Sequence, residues 1–118
     1  MENSDHSYLG RHLMSTITAD SEKLDDPDFL LESMIFACRN GGATVLHSHA
    51  HKFEPQGVTA FLVLAESHFA IHTWPERNTA CLDLFTCGDK AKPYEIHATF
   101  LYLIDAKRRV WHVAPRVG

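Results

Sequence analysis

Three groups of residues in this 118-residue chain are of types that can do chemistry. The first is His47, His49 and His51. On a strand, residues two apart share a face, so three imidazoles there line up. Neutral imidazole is the commonest metal ligand. Three ligands from one strand suit a tetrahedral site poorly, however, and no carboxylate is legible that would orient them. A polar strand face accounts for them more simply. The second group is Glu66-Ser67-His68 with His72 further along. A serine near a histidine is a candidate nucleophile, whereas a turn serine bonding its own backbone is the commoner use. No Gly-x-Ser-x-Gly elbow and no orienting acid is visible. The third is Cys87, between Thr86 and Gly88. A thiol at a strand end beside glycine can be accessible, although most cysteines serve as small buried hydrophobes. Cys81 is read as structural.

The elements that must position these residues follow from periodicity. A first strand is expected over Arg11–Thr18, followed by a polar patch from Ala19 to Asp25. Asp26 is a plausible N-cap and Pro27 fits the first helical position, where no N–H is needed. Leu30, Leu31, Met34, Ile35 and Cys38 then recur at helical spacing, and Gly41-Gly42 ends the helix. Ala43–Phe53 alternates as a second strand, and Pro55-Gln56-Gly57 is a turn. Val58–Ala65 is a nearly continuous apolar run, a candidate central strand. His68–Trp74 and Thr79–Thr86 read as further strands, separated at Pro75. Lys92-Pro93 opens a second helix with Ile96, Phe100, Leu101, Leu103 and Ile104 on its buried stripe. Lys107, Arg108 and Arg109 are expected near its C-terminus, where cations suit the dipole. Val110–Val113 reads as a last short strand. The order β-α-β-β-β-β-α-β, with short turns in the middle, predicts an α+β fold. It is a two-layer α/β sandwich, mainly antiparallel, with two helices on one face.

Composition narrows the function classes. The length suits one domain spanning 1–118. Hydrophobic content of 45% and charged content of 22% are ordinary for a globular protein and exclude a disordered tail protein. Net charge is −4 with no basic stripe, which argues against a nucleic-acid partner. Apolar stretches such as Phe61–Ala65 are far too short for a membrane span. Met1–His12 carries no apolar core, so no signal peptide is expected. With three cysteines and no Cys-x-x-Cys pair, reduced thiols and a cytoplasmic location are expected.

Taken together, several fragments carry a specific resemblance. Glu66-Ser67-His68, then Ile71-His72-Thr73-Trp74-Pro75-Glu76, then Asp83-Leu84-Phe85-Thr86-Cys87-Gly88 resemble the prokaryotic S-adenosylmethionine decarboxylase proenzyme family. Leu9-Gly10-Arg11-His12, Gly42-Ala43-Thr44-Val45, His51-Lys52-Phe53 and Pro55-Gln56-Gly57-Val58 extend it, so that it covers about Tyr8 to Ile104. The resemblance implies a self-processing, pyruvoyl-dependent decarboxylase of S-adenosylmethionine that feeds spermidine synthesis. It implies cleavage at the Glu66–Ser67 bond into residues 1–66 and 67–118. Ser67 would attack the Glu66 carbonyl and His72 would remove the Ser67 α-proton. The serine remnant would become a pyruvoyl group that binds the substrate amine as a Schiff base. Cys87 is implied as the proton donor in turnover, Phe53 as the aromatic stacking on adenine, and Glu76 as the acceptor for the ribose hydroxyls. Thr59 stands where the family commonly has a serine near the active site, and the resemblance counts it with Phe53 and Glu76 among the substrate-binding residues. The family fold is the same two-layer sandwich, and its members form homodimers of cleaved protomers with active sites near the interface.

Three alternatives remain open from sequence. Arg77-Asn78-Thr79 departs from the segment that usually follows Trp-Pro-Glu in the family, so the same machinery acting on another amino acid, arginine or ornithine, is one. A non-catalytic partner subunit is another. A metal-binding module on His47, His49 and His51 is the third, although the resemblance itself implies no metal.

Overall fold

The computed structural model describes residues 8–88 and 91–118. Its strands are β1 (Tyr8–Thr18), β2 (Val45–Lys52), β3 (Val58–Leu64), β4 (Ser67–Trp74), β5 (Thr79–Thr86) and β6 (Arg109–Val117). Its helices are α1 (Ser21–Leu24), α2 (Pro27–Asn40) and α3 (Pro93–Leu103). A 3-10 turn, Pro75–Arg77, links β4 to β5. The strands form one sheet in the order β2-β3-β4-β5-β1-β6, and every pairing is antiparallel. The expected α+β sandwich is therefore present. Among the described residues, no helix is long and apolar enough to cross a membrane.

The helices cover one face. In β3, Val58, Ala60, Leu62 and Leu64 are buried while alternate residues are not, as a half-covered strand requires. Leu13, Ile17, Phe69, Ile71, Leu82 and Leu84 extend that face. Against it α2 packs Leu30, Met34, Ala37 and Cys38, and α3 packs Ile96, Phe100 and Leu101. Phe69 meets Phe100 edge-on, ring centroids 5.4 Å apart. Each such large side chain contributes about 2 kcal/mol on burial. Burial pushes the Cys38 thiol up to about 12, so that cysteine only fills space. Among the described residues, no helix lies on the other sheet face.

Local chemistry sets the ends. Asp26 caps α2, its carboxylate accepting from the Phe29 N–H at 3.0 Å, with Pro27 behind it. Five expectations shift. The polar patch contains α1, a single turn that buries Leu24. The first strand begins at Tyr8, and the fourth begins at Ser67 itself. The last strand runs to Val117 because β1 pairs with it along most of its length. Finally, α3 ends at Leu103 with no basic residue in its last turn, so Lys107–Arg109 do not serve its dipole.

One buried polar pair makes the fold sensitive to acid. His97 Nε2 lies 2.9 Å from Ser15 Oγ, both inside the core between α3 and β1. Burial first, and the nearby Arg109 charge second, hold the imidazole down to about 4 from 6.5. Between those pH values the unfolded chain binds a proton that the folded chain refuses. The stability is therefore complete above pH 6.5 and is lost as pH falls toward 4, by up to about 3 kcal/mol. The urea midpoint should drop across that window, and a Ser15→Ala/His97→Leu double variant should show a flatter profile. An equal slope in both would refute the assignment.

Candidate active site

The residues singled out from sequence fall into two clusters, not one. The first surrounds the turn between β3 and β4. Leu64 pairs with Ser67, leaving Ala65 and Glu66 as a two-residue connection. Glu66 takes a left-handed backbone with φ of 63°. That conformation costs a non-glycine residue about 1–2 kcal/mol. Ser67 is 9% exposed, its side chain on the helix-covered face. Its Oγ accepts the Cys87 N–H at 3.3 Å. The Cys87 thiol donates to the Glu66 carbonyl oxygen. One residue thus grips both sides of the Glu66–Ser67 peptide bond. A hollow of about 350 Å³ opens here, lined by Glu66, Cys87, Gly88 and the Gly42–Thr44 segment. That is small for a ligand pocket.

The second cluster lies at the other end of the β3–β4 hairpin, on the open face. Thr59 and His72 are cross-strand partners, with Thr59 Oγ1 2.9 Å from His72 Nδ1. When Nδ1–H donates to Thr59, Nε2 is left as an acceptor. The threonine keeps the hydroxyl this contact needs. Phe53, Gln56, Trp74 and Glu76 line a second hollow together with Thr59 and His72. The loop bearing Phe53 is pinned from a distance. The Asp25 carboxylate accepts the Gly57 N–H at 2.8 Å and meets Lys52 at 3.3 Å. The Gly57 hydrogen bond, helped by Lys52, holds the Asp25 carboxyl below its usual range. Thr73 anchors the loop's exit, accepting the Val58 N–H at 2.9 Å. Sequence reading missed Asp25 and Thr73, and no local signal could have found them: Asp25 is 32 residues from Gly57.

Ser67 and His72 therefore do not meet within one chain. Five residues of strand separate them by roughly 16 Å. Five is an odd number, so their side chains point to opposite faces. The parity follows only because β4 starts at Ser67, one residue before the start expected from sequence, and within one chain it keeps apart the two residues that the resemblance implies act together.

Other expectations resolve more simply. Asn78 sits at φ of 50° and its side-chain amide donates to the Ala19 carbonyl at 3.2 Å. The departure at Arg77-Asn78-Thr79 thus ties the 3-10 turn to the end of β1. His47, His49 and His51 share the open face as expected and are exposed, but His51 packs edge-on to Phe53 and His49 against Phe61. Among the described residues, no group of three side chains is arranged to hold a metal ion. Cys81 is half-buried on the open face across from His72, so the structural role expected of it is not in the core.

A sequence model described as S-adenosylmethionine decarboxylase matches residues 11–117. A protein of Synechococcus sp. (strain WH7803) is 48% identical over 86 residues, 72% of this chain and 67% of that one. A protein of Parasynechococcus marenigrum (strain WH8102) is 43% identical over 101 residues, 85% and 79% of the two chains. Both are named S-adenosylmethionine decarboxylase proenzyme. The crystal structure of the adenosylmethionine decarboxylase from Aquifex aeolicus VF5 superposes with a TM-score of 0.85 at 32% identity, covering 93% of this chain and 92% of that one. The Trypanosoma brucei AdoMetDC-delta26 monomer shares the fold, with a TM-score of 0.64 at 15% identity over 87% of this chain and 45% of that one.

Proposed function

The chain belongs to the S-adenosylmethionine decarboxylase family, and from that premise we propose that it cuts itself between Glu66 and Ser67 to make its own catalytic group. It is a pyruvoyl-dependent decarboxylase, and S-adenosylmethionine is the substrate that its family membership supports. The observation that carries the self-cleavage reading is the clamp at that bond. Cys87 holds Ser67 Oγ with its N–H and the Glu66 oxygen with its thiol, on a strained backbone.

Amide-to-ester exchange is uphill, and the left-handed Glu66 offsets part of that cost when the bond breaks. Ser67 Oγ bonds to the Glu66 carbonyl carbon. The carbon–nitrogen bond breaks, and the hydroxyl proton ends on the Ser67 nitrogen. The Cys87 thiol, already on the carbonyl oxygen, steadies the charge that grows there. An imidazole from His72 then takes the Ser67 α-proton, and Glu66 departs as a carboxylate. Water replaces the nitrogen, which leaves as ammonia. The residues around Ser67 fit the product: a hydroxyl amino acid at a chain break, with a thiol beside it. The pyruvoyl group supplies an electrophilic carbonyl for the substrate amine and a sink for the electrons left by carbon dioxide. In this reading Cys87 returns a proton to the substrate carbon, Phe53 stacks on the adenine, and Glu76 accepts from the ribose hydroxyls.

Because His72 faces away from Ser67 in its own chain, we propose a homodimer of cleaved protomers in which each copy's Thr59–His72 cluster serves its partner's Ser67. A two-fold interface makes every contact twice, so one pairing completes two sites. The open sheet face supports it, since Phe61, Val63 and Trp74 are each about two-fifths exposed there. The free cysteines Cys38, Cys81 and Cys87 support a reducing compartment, the cytoplasm.

Intact mass measurement under denaturing conditions tests the core of this reading. Purified protein should appear as residues 1–66 and 67–118, the second chain lacking a free amine and reacting with carbonyl-trapping reagents. A single uncut chain that still releases carbon dioxide would overturn it.

A further inference from the structure

Among the described residues, two buried side-chain polar atoms lack a hydrogen-bond partner: Arg11 Nε and Thr86 Oγ1. They are neighbours. Arg11 and Thr86 pair directly across β1 and β5. Ser67 stands on the other flank of Thr86, one step beyond the His68–Phe85 pair of β4 and β5. Strand alternation puts all three side chains on the helix-covered face. Ser67, Thr86 and Arg11 thus form a row across three adjacent strands, each step about 4.8 Å. A buried hydroxyl with no partner weakens a fold, and valine would fill the same volume without that cost. Two unpaired donors side by side, next to the reacting serine, point to a use in the reaction.

We propose that Thr86 and Arg11 are positioning residues for self-cleavage: Arg11 Nε–H donates to Thr86 Oγ1, and the Thr86 hydroxyl donates to Ser67 Oγ as that oxygen attacks Glu66. The inference rests on the self-cleavage reading given above. Ser67 Oγ already accepts the Cys87 N–H at 3.3 Å. A second donor leaves the oxygen doubly hydrogen-bonded as its proton departs. Negative charge growing on Oγ then faces a guanidinium cation through one polarisable hydroxyl, and donors in a chain strengthen one another. The Oγ proton ends on the Ser67 nitrogen when the bond to Glu66 breaks, so the relay is unchanged afterwards. A rotation of the Thr86 side chain between staggered positions is what closes it.

The surroundings hold the row in place. A Cβ on Gly10 would come within 2.5 Å of the Thr86 carbonyl oxygen and 2.8 Å of the Phe85 ring, so glycine lets β1 press directly against the Thr86 backbone. On the far side, the Arg11 guanidinium lies 5.9 Å from the centroid of the Tyr94 ring, which holds it over the first turn of α3.

The test follows cleavage itself during cell-free synthesis, by denaturing mass measurement over time. Thr86→Val should slow cleavage at least about tenfold, Thr86→Ser should stay within about threefold of wild type, and Arg11→Met should slow it with little further loss in the Thr86→Val background. Hydroxylamine, which cuts esters and not amides, should not rescue Thr86→Val, because ester formation is the slowed step. The melting temperature of Thr86→Val should hold or rise, since the hydroxyl has no partner to lose. A Thr86→Val chain that cleaves at the wild-type rate, or that loses cooperative unfolding, overturns the relay while leaving the self-cleavage reading intact. A wild-type chain that never cleaves overturns both.

Discussion

A Ser67→Ala chain should remain in one piece and release no measurable carbon dioxide from S-adenosylmethionine, a loss of at least about a thousandfold. Alanine removes the one oxygen that can attack the Glu66 carbonyl and the one carbon–oxygen bond whose loss yields the reactive carbonyl. The cost to the fold should be small. Among the described residues, Ser67 Oγ makes one long hydrogen bond, to the Cys87 N–H at 3.3 Å, and its loss is worth about 1 kcal/mol. The methyl of alanine fits a position that is already 9% exposed. The uncut protein should therefore melt within a few degrees of the cut one. That separation of chemistry from stability is what makes the variant informative. Cleavage of this variant at residue 66 would remove Ser67 from the mechanism altogether.

Mixing two dead variants should restore activity. A His72→Ala copy keeps Ser67 and Cys87 but lacks the imidazole, and a Ser67→Ala copy keeps Thr59 and His72 but lacks the nucleophile. If the two clusters meet only across a dimer, a mixed dimer contains one complete site and one site lacking both groups. Co-expressed in equal amounts, half the dimers are mixed and each has one working site in two. Activity should return to about a quarter of wild type, set by random two-fold pairing. Only the His72→Ala chain should be cut, which mass measurement can show. Two variants of one cluster, Ser67→Ala with Cys87→Ala, cannot rebuild a working site in this way and should regain nothing. Activity absent from the first mixture, with mixed dimers demonstrably formed, would mean that His72 serves its own chain and that the strand geometry is misread.

The elements were legible where one face of each is buried against the core. The alternation of Val58, Ala60, Leu62 and Leu64 states which side of β3 is covered. Asp26 and Pro27 mark the start of α2 by their own chemistry, with no help from the rest of the chain. β6 carried a signal only over Val110–Val113, because all of its residues from Arg109 to Val117 are exposed or half-buried. It is a strand because β1 offers it a ladder of hydrogen bonds, and pairing of that kind is not written in the segment itself. The one-turn α1 was hidden for a similar reason: only Leu24 is buried, and one residue makes no period.

The sequence by itself determined the family and the two-layer architecture, and it named Ser67, Glu66 and Cys87 as candidates. Those rest on residue types and short spacings, which survive without coordinates. Tertiary structure decided how the candidates group. It joined Glu66, Ser67 and Cys87 across 21 residues, joined Thr59 to His72 across 13, and set the two groups on opposite faces of one strand. The physical reason is that a pleated sheet sorts side chains by parity and by neighbouring strand, and strand order is fixed only when the whole sheet has closed on its core.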